Sequence, residues 1–158
     1  VITLYMVNEL SDRMLHDYAT MNEYYFHTMH HEFTHILNQK KNYSDNYQLI
    51  TEDGYVSGDW YRISATTAHQ AGFVTPYAMS EPGEDFAEMM SVYVTDSPKQ
   101  WDAIIKDAGA KGGELINKKL TMVRSYMKDS WGLDIDKMRD IVQRRASEIS
   151  ALDLTTLE

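Results

Sequence analysis

Apolar positions recur at three- and four-residue steps through most of the chain, and each stretch that shows this spacing reads as an amphipathic helix. Phe26, Met29, Phe33, Ile36 and Leu37 form such a stripe within a helix from about Tyr24 to Gln39. Phe86, Met89, Met90 and Tyr93 form another between Ser80 and Thr95, where Ser80-Glu81-Pro82 supplies a capping residue and a first-turn proline. Asp96-Ser97-Pro98 breaks that pattern and opens a further helix to about Ala108, after which Gly109 and the Gly112-Gly113 pair read as turns. A long amphipathic helix then runs from about Glu114 to Ser130 and ends at Trp131-Gly132, and a last one spans about Ile135 to Ser150.

Two stretches do not follow this rule. Val1 to Val7 is rich in β-branched residues and reads as a strand, with a polar segment and a short helix from Ser11 or Asp12 behind it. From Lys40 to about Ser80 the periodicity fades, and Tyr43, Tyr47, Tyr55, Trp60 and Tyr61 alternate with Asn, Asp, Ser and Gly. That segment reads as irregular structure with short strands or turns, most of its aromatics pinning it to the core. The expectation is one α+β domain over 1–158, mostly helical with a small N-terminal sheet.

The chain has 158 residues, enough for one core, and 43% of them are hydrophobic, which argues against disorder. No run approaches the roughly 18 uninterrupted apolar residues of a membrane span. Fifteen basic against 24 acidic residues give a net charge of −9, which disfavours a nucleic-acid partner because such affinity rests on neutralising phosphates. With no cysteine, neither disulfides nor thiolate metal sites are possible, so any metal must be held by His and carboxylate. The chain opens without an initiator Met or a signal-peptide layout, and the reading is a domain cut from a longer precursor.

The candidate chemistry lies in His31-Glu32-Phe33-Thr34-His35, an H-E-x-x-H pattern inside the first predicted helix. On a helix, His31 and His35 stand one turn apart on one face, with Glu32 about 100° round from His31. Two imidazoles at that spacing can grip one zinc ion, leaving room for a third protein ligand and a water whose proton Glu32 is placed to take. Chance alone places the pattern in roughly one such chain in a hundred, so a third ligand has to be found. Glu84 and Glu88 sit four residues apart on the polar face of the Ser80–Thr95 helix; if that face meets the histidines, a His/His/Glu site follows.

These residues carry a resemblance. Tyr77, Glu84-Asp85-Phe86-Ala87-Glu88 and the H-E-x-x-H together resemble the arrangement in anthrax lethal factor-like gluzincins, which include clostridial Pro-Pro endopeptidases. The context, with Ile36-Leu37-Asn38-Gln39 following His35 and Gly72-Phe73-Val74 before Tyr77-Ala78, is similar to zinc-binding metallopeptidases of Bacteroidetes, typically surface lipoproteins found beside SusC/SusD-type import systems. The resemblance covers about Tyr24 to Val94. It implies a zincin-like fold, one Zn²⁺ per chain on His31, His35 and Glu84, Glu32 as general base, Tyr77 as oxyanion stabiliser, and Glu88 behind a ligand histidine. It also implies a protein or peptide substrate, association with an outer-membrane import system, and an extracytoplasmic, lipid-anchored location on a bacterial surface.

Other readings stay open at this point. Glu88 can take the ligand role in place of Glu84, Tyr77 can be a packing tyrosine, and His69 can be a substitute ligand, a substrate-side donor or a satisfied structural histidine. His16, His27 and His30 are expected to have no catalytic role. Two rival functions stand beside the peptidase: a catalytically inert zinc-containing binding module of a surface import system, and a zinc amidase acting on a non-peptide substrate.

Overall fold

The computed structural model describes residues 17–148. Helix α1 (Tyr18–Met21) passes through a π-helical turn (Asn22–Phe26) into α2 (His27–Lys40) without leaving helical backbone angles at the junctions. Short helices α3 (Asn46–Leu49) and α4 (Ala65–Gln70) alternate with 3-10 turns at Glu52–Gly54, Ser57–Arg62 and Tyr77–Met79. Three longer helices follow, α5 (Pro82–Thr95), α6 (Pro98–Trp131) and α7 (Ile135–Glu148).

Local chemistry sets these boundaries. Pro82 opens α5 from an extended Glu81, and Glu84 and Asp85 put negative charge in its first turn, where the exposed N–H groups favour it. Ser97 and Gln100 form a reciprocal capping box at the start of α6. Gly109 breaks α6 internally at φ 66° and ψ −171°, a backbone conformation that side chains disfavour, and Gly132 closes the helix at φ 68°. The last carbonyls of α5 accept hydrogen bonds from α7, where Gln143 Nε2 donates to Val94, Thr95 and Asp96 and Arg139 donates to Asp96. A helix end that would otherwise be buried unpaired is satisfied this way.

The fold is built round α5, which is buried continuously from Asp85 to Thr95 and packs against α2, α6 and α7. Phe86, Met89 and Met90 fill the core beside Tyr47, Ile116, Leu120, Val123 and Met127. Three aromatics of the irregular segment pin it down, whereas Tyr61 is 62% exposed. Tyr47 is fully buried and donates to the Asp85 carbonyl, Tyr43 stacks on Phe86 with ring centroids 4.1 Å apart, and Tyr55 donates to Asp85 Oδ2.

Three expectations are corrected. There is no strand among the described residues, so the α+β class with its small sheet gives way to a mainly helical fold; Val1 to Val7, the expected strand, lies outside the described residues. Of the short strands or turns expected for the irregular segment it is turns that form, with Ile50 N–H bonded to the Tyr47 carbonyl, Gly54 to Thr51, Ile63 to Trp60 and Ser80 to Tyr77. The Gly112-Gly113 pair is not a turn but lies within α6, and a Cβ on Gly112 would stand 2.3 Å from the His69 carbonyl oxygen, so glycine there lets α4 and α6 meet backbone to backbone. Finally, of its apolar stripe α2 buries Leu37 alone. Its buried residues are His31, Thr34 and Leu37, while Phe33 is 44% exposed, because the histidine face finds acceptors on α5.

Asp85 and Lys119 form a fully buried ion pair across α5 and α6, with Lys119 Nζ 2.7 Å from Asp85 Oδ2 and 3.7 Å from the centre of the Phe73 ring. Burial pushes Asp85 up and Lys119 down, and each opposes the other's shift. Lys119→Met strands the carboxylate and is expected to cost ~3–5 kcal/mol in denaturant unfolding. Adding Asp85→Asn to that variant should recover much of the loss, since no unpaired charge then remains in the core.

Candidate metal centre

Helix α2 lays His27, His31 and His35, spaced four residues apart, against the polar edge of α5. His31 Nε2 stands 2.8 Å and His35 Nε2 3.3 Å from the same oxygen, Glu84 Oε2, and the two ring nitrogens are 3.1 Å apart. The rings meet nearly edge to face, at 77° between planes. Neutral imidazole nitrogens facing each other at that distance need a proton or a cation between them. Three donors about 2.0–2.2 Å from one tetrahedral metal stand roughly 3.3–3.5 Å apart, so this triangle needs to open by only a few tenths of an ångström to accept one. Two imidazoles and a carboxylate are a zinc donor set, and without cysteine it is the set this chain can offer.

Glu88 works from behind. Its Oε1 accepts from His31 Nδ1 at 2.7 Å and from His27 Nε2 at 2.9 Å, and its Oε2 accepts from the Thr75 hydroxyl at 2.7 Å. Burial opposes the charge, yet the hydrogen bonds from His27 and His31 outweigh it and hold Glu88 down to about 2. With Nδ1 donating to that carboxylate, it is Nε2 of His31 that faces His35 and Glu84, donating to Glu84 in the metal-free chain and free to bind a metal once that proton is lost. His31 itself is raised to about 9, because Glu84 and Glu88 together overcome the burial that disfavours its cation. Hydrogen bonds from His31 and His35 keep Glu84 well below the usual carboxylate range.

Glu32 and Tyr77 complete the group. Glu32 joins His35, Asn38, Tyr43, Glu81 and Glu84 in lining an open cleft of ≈ 510 Å³. The Tyr77 ring centre is 5.8 Å from that of His31 and 4.9 Å from that of Trp60, which meets it edge to face. Burial first, then the neighbouring Glu84 charge, push the phenol up to about 12, so it keeps its proton at neutral pH.

The expected residues His31, Glu32, His35, Tyr77, Glu84 and Glu88 are therefore brought to one place. Glu88 touches His31 on the nitrogen facing away from His35, so of the two carboxylates it is Glu84 that joins both histidines. His69 lies elsewhere, held by Asp107 through Nδ1 and by the Val74 carbonyl through Nε2. His16 lies outside the described residues. His27 and Thr75 are the neighbours that sequence reasoning missed. For His27 a signal exists, since His27, His31 and His35 recur at the spacing of one helical turn; for Thr75 there is none.

Among known proteins, a family model described as "Putative zinc-binding metallo-peptidase" matches residues 1–136. A solved structure from Bacteroides caccae ATCC 43185 with the same description is similar at a TM-score of 0.89 and 44% identity, over 97% of this chain and 57% of that one. This chain thus spans a little over half the length of that relative. No curated protein matches. By the extent of the family match and by that identity, the chain belongs to the family so described.

Proposed function

We propose that the chain hydrolyses peptide bonds as a zinc metallopeptidase of the gluzincin type. His31, His35 and Glu84 hold the metal in this reading, Glu32 is the general base, Tyr77 stabilises the developing oxyanion and Glu88 orients His31. The observation that carries it is the convergence of His31 Nε2, His35 Nε2 and Glu84 Oε2 at 2.8, 3.1 and 3.3 Å from one another, beside the cleft that Glu32 lines.

Zinc held there supplies a Lewis acid that polarises the scissile carbonyl and acidifies a water. Glu32, on the cleft side of α2, takes the proton of the attacking water and later gives it to the leaving amine. The Tyr77 phenol donates a hydrogen bond to the carbonyl oxygen as it gains charge. Glu88, buried and ionised, accepts the hydrogen bond of the His31 Nδ1–H, which leaves Nε2 as the nitrogen that would give its lone pair to a metal once its own proton is displaced.

Elemental analysis of the purified protein should find roughly one zinc per chain, lost in Glu84→Ala and weakened about 10–100-fold but retained in Glu88→Ala. Glu32→Gln should keep the metal and lower peptide hydrolysis by about 10²–10⁴-fold; loss of metal in that variant contradicts the role given to Glu32. Tyr77→Phe should lower kcat by about 10²–10³-fold with KM little changed, measured on the best substrate from a diverse peptide library. Zinc without turnover on any peptide would favour the inert module, and cleavage of non-peptide amides with peptides left intact would select the amidase.

A further inference from the structure

Thr75 occupies a junction that the proposed chemistry leaves unused. Its hydroxyl donates to Glu88 Oε2 at 2.7 Å, and the same oxygen accepts from the Ala78 N–H at 3.1 Å. Ala78 belongs to the 3-10 turn that begins with Tyr77, and it is fully buried. One hydroxyl therefore joins the carboxylate that orients His31 to the backbone of the turn that presents the tyrosine. The preceding residue is fixed as well, because the Val74 carbonyl accepts from His69 Nε2, and His69 is tied through Nδ1 to Asp107 on α6. The strand of chain leading to Tyr77 is thus clamped at consecutive residues, by α4 and α6 at Val74 and by α5 at Thr75.

We propose that Thr75 is a positioning residue that couples the orientation of His31, through Glu88, to the placement of Tyr77. The inference rests on the metallopeptidase reading for its consequence in catalysis, but the coupling itself is a property of the metal-free chain. Chemistry requires an O–H at this position and not merely bulk. A hydroxyl donates once while accepting, which is what a carboxylate on one side and a peptide N–H on the other demand. Valine has nearly the same shape and can do neither; it would leave Glu88 Oε2 and the Ala78 N–H buried without their partner.

Three measurements test it. In Thr75→Val, zinc affinity measured by competition with a chromophoric chelator should fall by about tenfold or more, as for other groups that orient metal ligands, while Thr75→Ser stays close to wild type. In the Thr75→Val background, Tyr77→Phe should cost much less in kcat than in wild type, because the phenol is already misplaced. In the metal-free protein, amide exchange at Ala78 should accelerate several-fold in Glu88→Ala, since the Thr75 hydroxyl that caps this N–H loses the group that orients it. Wild-type zinc affinity in Thr75→Val, additive kcat losses with Tyr77→Phe, or unchanged Ala78 exchange in Glu88→Ala would each overturn the coupling. Absence of zinc from the wild-type protein would instead overturn the metallopeptidase reading, and the exchange measurement would still decide the coupling.

Discussion

The buried carboxylate of Glu88 is the constraint on which the arrangement depends. It is 4% exposed, so an unpaired charge there would be expensive, and three side-chain donors remove that penalty: His27, His31 and Thr75. Satisfying it brings α2 against α5 on their polar faces. Once they meet that way, His31 has one nitrogen committed and the other turned toward His35 and Glu84. The donor triangle is a consequence of how Glu88 is buried as much as of the ligand spacing.

A second charged contact keeps α5 from turning. Asp85 lies about 100° round the helix from Glu84, and its partner Lys119 reaches it from α6 on a different side from the histidines. Tyr47 and Tyr55 add hydrogen bonds to the backbone and side chain of the same residue. The tyrosines of an otherwise irregular segment thereby hold the first helical turn that carries Glu84. In this protein the packing of the loop and the placement of a candidate ligand are one problem.

Much of this was legible from residue order, and the failures share a cause. H-E-x-x-H and the Glu84/Glu88 pair were readable because their spacing is local, Tyr77 and the preference for Glu84 came only through the family resemblance, and α5 and the break at Gly109 were readable because capping chemistry and glycine are local too. The face of α2 was not. An apolar stripe at Phe26, Met29, Phe33, Ile36 and Leu37 is ordinarily the buried one, yet here only Leu37 of it is buried, together with His31 and Thr34, because the acceptors of the histidine arrive from a helix far along the chain. Gly112 was misread for the same reason: within α6 a glycine pair looks like punctuation, and only the arrival of the His69–Gln70 backbone shows why a side chain is excluded. The irregular segment reads only as short strands or turns because its 3-10 turns have no hydrophobic period.

The spacing Glu84-Asp85-x-x-Glu88 follows from these two locks. Glu84 and Glu88 must share the face toward α2, which a helix allows at four residues, while Asp85 must point to α6, which the adjacent position allows. A rotation of α5 that improved one contact would worsen the other, so the helix has no cheap way to adjust. Shortening either glutamate to aspartate withdraws its oxygens by about one methylene, and the Asp85–Lys119 pair prevents the backbone from following. Charge would be conserved and reach would not; in a site defined by donors 2.7 to 3.3 Å apart, reach decides whether His31 stays oriented and whether Glu84 still meets both histidines.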